Sequence, residues 1–236
     1  ERYEDISPGK QETDNLCPIC RGAGWVSKAV PVDHSDFGQA FPCKCQDVYE
    51  PKSRVAALLR YSNLGSLDRI LFKDTDQKGP LPDLGSQERF QTAMSASIEY
   101  AENPKGWLIF TGPSGSGKTH LSVAVANKCI ENGKTTFFII AADLLDHLRA
   151  SYAPENQITY DDLFEQVRNV PVLVIDDLNT QSATPWAQEK LFQIFNHRFN
   201  SQLPTVITVR GAIERLDESL RSKMEAAEEF SQVFQL

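Results

Sequence analysis

The chain has 236 residues, 41% hydrophobic and 24% charged, the proportions of one large globular domain with a small appendage rather than of a disordered or collagenous chain. Its formal net charge of -8 repels phosphate, so any nucleic-acid contact has to come from a local basic stripe. No apolar run approaches the roughly 18 residues needed to span a bilayer, and Glu1-Arg2-Tyr3-Glu4-Asp5 has no basic-then-apolar leader pattern, so a cytoplasmic location without membrane contact is expected.

Four of the five cysteines cluster near the N-terminus, as Cys17-Pro18-Ile19-Cys20 and, after 22 residues, Cys43-Lys44-Cys45. In a reducing compartment two such thiol pairs are suited to a tetrahedral Zn²⁺ shell rather than to disulfides. Free thiols in a loop, or a redox pair at Cys17 and Cys20, are the alternatives. His34 lies between the pairs, but four sulfurs already complete a shell. Residues 1–50 are therefore expected to form a zinc-binding module, with Gly22, Gly24 and Gly38 easing tight backbone turns and Trp25, Val26 and Phe37 as a minimal core. Residues 51–85 are expected to be a connector packed on the main domain. In it, Ser53–Tyr61 has a short helical pattern and Gly79-Pro80-Leu81-Pro82 is a breaker.

The main domain is expected over residues 86–236. The spacing of Phe90, Ala93, Met94, Ile98 and Ala101 predicts a helix over Ser86–Asn103, stopped by Pro104. A buried strand at Trp107–Phe110 then runs into Gly112-Pro113-Ser114-Gly115-Ser116-Gly117-Lys118-Thr119, a phosphate-binding loop of the form G-x-x-x-x-G-K-[ST]. Its glycines let backbone N–H groups surround the phosphates, Lys118 reaches the β- and γ-phosphates, and the Thr119 hydroxyl is placed for Mg²⁺. Cys129 reads as a buried small hydrophobe.

A second strand is expected at Thr136–Ala141 and a third at Val172–Ile175, running into Asp176-Asp177. The first aspartate is the expected magnesium partner, and the second faces the attacking water; a helix N-cap is the competing role for two such carboxylates. Two helical stretches, Ala142–Ala150 and Tyr160–Val170, lie between these strands; Arg149 with Tyr152 nearby can cradle single-stranded nucleic acid, an exposed arginine and a capping tyrosine being the alternative. After a helix at Thr184–Asn200, a fourth strand, Thr205–Val209, ends at Arg210, which is expected to point at the γ-phosphate.

These motifs, with Tyr100-Ala101-Glu102-Asn103-Pro104, Gly117-Lys118-Thr119-His120-Leu121, Asp143-Leu144-Leu145-Asp146-His147-Leu148-Arg149, Val174-Ile175-Asp176-Asp177-Leu178 and Glu189–Phe199, resemble the AAA+ ATPases of the bacterial helicase-loader group (DnaC-like) and the IstB-type transposition ATPases. The resemblance covers nearly everything after Tyr61. It implies an α/β P-loop NTPase of the ASCE type, a parallel sheet flanked by helices, preceded by the zinc module and followed by little or no C-terminal lid. It implies an ATPase with ATP and Mg²⁺ bound by Gly112–His120, weak alone and stimulated by DNA or a partner. It further implies a homo-oligomer on single-stranded DNA that contacts a replicative helicase, with a transposase as the alternative partner and a nucleotide-gated adaptor as the alternative class. Three positions depart from the group's pattern: Arg210 replaces asparagine or threonine, Asn179 replaces glycine, and Ser222-Lys223 replaces Ser-Arg. Lysine cannot make the forked contact of an arginine finger, which leaves the adjacent Arg221 as the candidate.

Overall fold

The computed structural model describes residues 25–27, 40–42, 61–67, 69–152, 159–179, 184–225 and 230–236. The chain divides into two compact units, Glu1–Arg54 and Val55–Leu236. In the first, β1 (Trp25–Ser27) pairs antiparallel with β2 (Ala40–Pro42), Trp25 opposite Pro42. Of the helix expected at Ser53–Tyr61 all but Tyr61, and the four clustered cysteines, lie outside the described residues. No helix among the described residues is long and apolar enough to cross a membrane.

The second unit is a five-stranded parallel sheet in the order β4–β5–β6–β3–β7, built from β3 (Trp107–Gly112), β4 (Thr136–Ile140), β5 (Val172–Leu178), β6 (Thr205–Arg210) and β7 (Ser231–Gln235). The order places β6 between the strand that feeds the phosphate loop and the strand that carries the aspartates. Successive residues of a strand face opposite sides. Trp107, Ile109, Phe137, Ile139, Leu173, Ile175 and Ile207 enter one core, and Leu108, Phe110, Phe138, Val172, Val174 and Val206 the other. Because both faces are covered, these strands read as unbroken apolar runs.

Helices α1 (Leu84–Glu102) and α2 (Lys118–Glu131) supply the second core; α3 (Ala141–Ala150), α4 (Tyr160–Asn169), α5 (Pro185–Asn200) and α6 (Glu218–Glu225) supply the first. Side-chain caps fix their starts: Asp83 accepts from Ser86 N on α1, Thr159 from Asp162 N on α4, and Thr184 from Ala187 N on α5. Cys129 is fully buried, and burial pushes its thiol up to about 11.

Two features differ from the sequence expectation. The sheet has a fifth strand, β7, parallel to β3; its polar pattern, Ser231-Gln232-Val233-Phe234-Gln235, fits an edge strand covered on few positions and gives no apolar run to detect. Asp176 and Asp177 lie inside β5 rather than beyond it, at a register shift against β6 between Ile175 and Leu178. They cap no helix, since the next described helix is capped by Thr184.

Two polar devices hold this frame. Ser62 Oγ donates to Phe138 O (3.0 Å) and Asn63 Oδ1 accepts from Ile140 N (3.0 Å), so the free edge of β4 is covered. Arg198, fully buried on α5, donates to Val170 O (2.8 Å) and Arg168 O (3.0 Å) at the end of α4, to Pro204 O (2.6 Å) and to Thr205 Oγ1 (2.9 Å). One guanidinium thereby satisfies orphan carbonyls of α4 and fixes the entry to β6, the strand that ends at Arg210.

Candidate nucleotide site

The loop between β3 and α2 begins where β3 stops, with Gly117 as the residue before α2. Gly117 has φ +94, and a Cβ there would meet the Phe90 ring at 2.5 Å, so both backbone conformation and the close approach of α1 require glycine. Lys118, buried at the first position of α2, donates its ammonium to Gly112 O (2.9 Å), Pro113 O (2.6 Å) and Ser116 Oγ (3.3 Å). Burial holds its pKa below the ordinary lysine value, opposed by the charges of Asp176 and Asp177.

Asp176 is buried and collects three hydroxyls. Thr119 Oγ1 lies 2.9 and 3.1 Å from its two oxygens, Thr208 Oγ1 donates to Oδ1 at 2.7 Å, and Ser122 Oγ at 3.4 Å. Thr208 also accepts from Asp177 N at 2.8 Å, so a single hydroxyl on β6 aligns both aspartates. Asp177 stands at φ +55, unusual for a residue with a Cβ, at the register shift between β5 and β6. There it meets Arg210 in a forked ion pair, Nε to Oδ1 at 3.1 Å and Nη2 to Oδ2 at 2.6 Å.

These groups open onto a cleft of about 670 Å³ whose walls include Ser114, Gly115, Lys118, Thr119, His120, Asp176, Asp177 and Arg210, within the size range of small-molecule sites. Thr75, Asp76, Gly79 and Pro80 form the wall contributed by the segment before α1. Thr75 Oγ1 donates to Leu71 O at 2.9 Å and so accepts from His120 Nε2 at 2.8 Å, which ties this wall to α2 and places the imidazole proton on Nε2. Burial lowers the His120 pKa. The convergence of the Thr119 hydroxyl and the Asp176 carboxylate, both hard oxygen donors beside a buried lysine, suits a divalent cation bound with a phosphate chain.

The structure thus brings Lys118, Thr119, His120, Asp176, Asp177 and Arg210 to one cleft, while Arg221 lies elsewhere, on α6, 3.7 Å from Glu225. Tyr152 N donates to Arg149 O at 3.3 Å, but their side chains have separate neighbours: Arg149 stands 5.0 Å above the Trp186 ring, and Tyr152 stacks on Tyr160 at 4.5 Å. The sequence reading missed Thr208 and the wall at Thr75–Pro80. A threonine between the apolar Ile207 and Val209, at the end of the strand run Thr205-Val206-Ile207-Thr208-Val209, was the available signal for the first; nothing local marks the second, which becomes a wall only through packing on Phe90 and His120.

Comparison with known proteins follows the same lines. The profile of the family described as IstB-like ATP binding protein matches residues 54–227. Replicative helicase loader DnaC of Buchnera aphidicola subsp. Baizongia pistaciae is 31% identical over 133 residues, 55% of this chain and 52% of that protein. DnaC of Escherichia coli is 27% identical over 135 residues, 56% of this chain and 55% of its own length. The chain spans about half the length of these relatives. A crystal structure of the DnaC helicase loader superposes with a TM-score of 0.58 at 25% identity, covering 75% of this chain and 98% of that one.

Proposed function

The chain belongs to the family of IstB-like ATP binding proteins, an AAA+ P-loop group that takes in the DnaC-like helicase loaders, and from that premise we propose that it is a cytoplasmic, ATP-dependent loader of a replicative helicase. In this proposal it hydrolyses ATP weakly alone, assembles as a homo-oligomer on single-stranded DNA, and uses residues 1–50 to reach its partner, 51–85 as connector and 86–236 as ATPase. What carries the proposal is the meeting of Lys118, Thr119 and Asp176 in the cleft at the end of β3, in a chain similar to two DnaC proteins.

The residues would act as follows. Backbone N–H groups from Ser114 to Thr119 would surround the phosphates at the start of α2, and Lys118 would move its charge from the loop carbonyls to phosphate oxygens. Mg²⁺ held by Thr119 and Asp176 would neutralise charge on the β- and γ-phosphate oxygens. Thr208 keeps Asp176 aligned for that ion, and Asp177 orients the attacking water. Arg221 of one subunit would complete the site of the next. The exposed Tyr152 ring, stacked on the half-buried Tyr160 with Lys190 close to Tyr160, supports contact with unstacked bases.

Cys17, Cys20, Cys43 and Cys45 are proposed to bind one Zn²⁺. The pairing of Trp25 with Pro42 supports this, because in the sequence Cys17 and Cys20 shortly precede Trp25 and Cys43 and Cys45 directly follow Pro42. Metal analysis of the purified protein should find about one zinc per chain, lost on replacing Cys17 and Cys20 by serine; absence of zinc from metal-replete protein refutes it. The family description favours a second reading, an IstB-like ATPase that recruits a transposase. Co-purification decides between them: a stoichiometric complex with the replicative helicase of the same host is expected, and binding to a transposase instead overturns the loader assignment.

A further inference from the structure

The cleft has two chemically different walls. Lys118, Thr119 and Asp176 suit phosphate and a cation, whereas the segment before α1 contributes Thr75, Asp76, Gly79 and Pro80, with no cation among them. A carboxylate on that wall repels phosphate, so the wall suits another part of a nucleotide. Three of its four residues have no side-chain group left to offer. The Thr75 hydroxyl donates to Leu71 O and accepts from His120, Gly79 has no side chain, and the Pro80 ring carries neither donor nor acceptor. Asp76 remains.

The turn that carries Asp76 is held in place before any ligand arrives. Asp76 Oδ1 accepts from Lys78 N at 2.9 Å, and its carbonyl accepts from Gly79 N at 3.0 Å, which closes a turn over Asp76–Gly79. His120 anchors one end of this turn through Thr75. At the other end the Phe90 ring lies against Gly79, where φ is +68 and a Cβ would meet the ring at 2.6 Å. Asp76 Oδ2 meets no donor among the described residues. A fixed carboxylate accepts and does not donate, so its complement on a ligand is a donor. On a nucleotide the donors away from the phosphates are the two ribose hydroxyls and an exocyclic base amine. The hydroxyls stand on adjacent carbons, so one carboxylate can accept from both, and an acidic side chain on the 2′-hydroxyl is a recurrent solution in nucleotide sites.

We propose that Asp76 accepts hydrogen bonds from the ribose hydroxyls and makes the cleft select ribonucleotides over 2′-deoxyribonucleotides. A deoxy sugar removes one donor and leaves the carboxylate facing a carbon, which costs more than the lost contact because the charge is then covered without a partner. This rests on the ATP-binding reading and adds to it the recognition of the sugar.

The test is calorimetric titration of the full chain, with Mg²⁺, against ADP and 2′-deoxyADP, which removes turnover from the measurement. ADP should bind about tenfold more tightly. Asp76→Ala should bring the two within about twofold of each other through loss of ADP affinity. Asp76→Asn keeps an acceptor for Lys78 N and removes only the charge, so it should retain a preference of about threefold. Inosine diphosphate, which has a carbonyl where adenine has its amine, separates sugar from base: Asp76→Ala should weaken it as much as it weakens ADP. Equal affinity of the unmodified chain for ADP and 2′-deoxyADP, or a preference that survives Asp76→Ala, overturns the proposal. A loss confined to ADP and absent for inosine diphosphate assigns Asp76 to the base and overturns it too. Failure of the unmodified chain to bind ADP or a non-hydrolysable ATP analogue refutes the ATP-binding reading itself, an outcome distinct from these.

Discussion

The cleft at the end of β3 and the face of α6 both carry cations suited to phosphate, yet they are built in opposite ways. In the cleft every charged group is held by neighbours in its own chain: Lys118 by loop carbonyls, Asp176 by three hydroxyls, Asp177 by Thr208 and Arg210. On α6, Arg221 and Lys223 are two residues apart, so the helical turn of about 100° per residue sends them to different sides. Lys223 stands 5.5 and 5.3 Å from the rings of Phe192 and Phe199, while Arg221 stands 3.7 Å from Glu225. Asp217 caps the helix start by accepting from Ser219 N at 2.9 Å, and the Ser219 bonds hold its carboxyl below the ordinary range. A site completed within one chain can be tested by binding; a residue proposed to act on a neighbour would show itself only in assembled turnover.

The largest expected effect separates the two regions. Arg221→Ala should reduce ATP turnover stimulated by single-stranded DNA and helicase by about 10³-fold, with ATP affinity unchanged, since a residue acting across subunits works mainly in the transition state. Steady-state hydrolysis at saturating ATP measures it, and unaltered stimulation would move the burden to Arg210 within the chain. Next, Lys118→Ala should weaken nucleotide binding by about 100-fold, read by titration, because it removes a buried charge that no neighbour replaces. Retention of parental affinity would break the claim that the cleft is self-sufficient.

Smaller effects sharpen the contrast. Lys223→Ala should leave stimulated turnover intact and lower stability by about 1 kcal/mol, read in urea melts, as two cation–aromatic contacts are lost. Loss of turnover without loss of stability would return the finger to position 223. The smallest effect is with pH. Burial lowers the pKa of both His120 and His197, and Arg168, 3.0 Å from His197 Nδ1, adds to it there. A base whose folded pKa lies below the unfolded value of about 6.5 binds fewer protons folded than unfolded in that window. Its stabilisation is complete above about 6.5 and is lost as pH falls toward the folded value. Denaturation at pH 7.5 and 5.5 should show this decline, reduced in His197→Gln; an increase on acidification would contradict both assignments.

Much of this molecule was legible in its residues. Gly112–Thr119 and Val172–Asp177 announce a phosphate site because each demands particular backbone conformations and charges within a few residues. The helices at Leu84–Glu102 and Pro185–Asn200 follow from periodic apolar positions and nearby caps. Arg198 gave no such notice: its surroundings are carbonyls from α4 and from the turn before β6, which are distant in sequence or inconspicuous beside it.

The sequence by itself determined the buried strands, the phosphate loop and the acidic pair, since apolar runs and glycine placement act over a single turn or strand, while the parallel sheet was implied by the family resemblance. Only the tertiary structure decided that β7 closes the sheet beside β3, that Asp177 sits at a register shift, and that Arg210 reaches it rather than standing alone. Each of these depends on which strands become neighbours and on their register. Residues 33 apart, such as Asp177 and Arg210, acquire a relation only when β5 and β6 are hydrogen-bonded side by side.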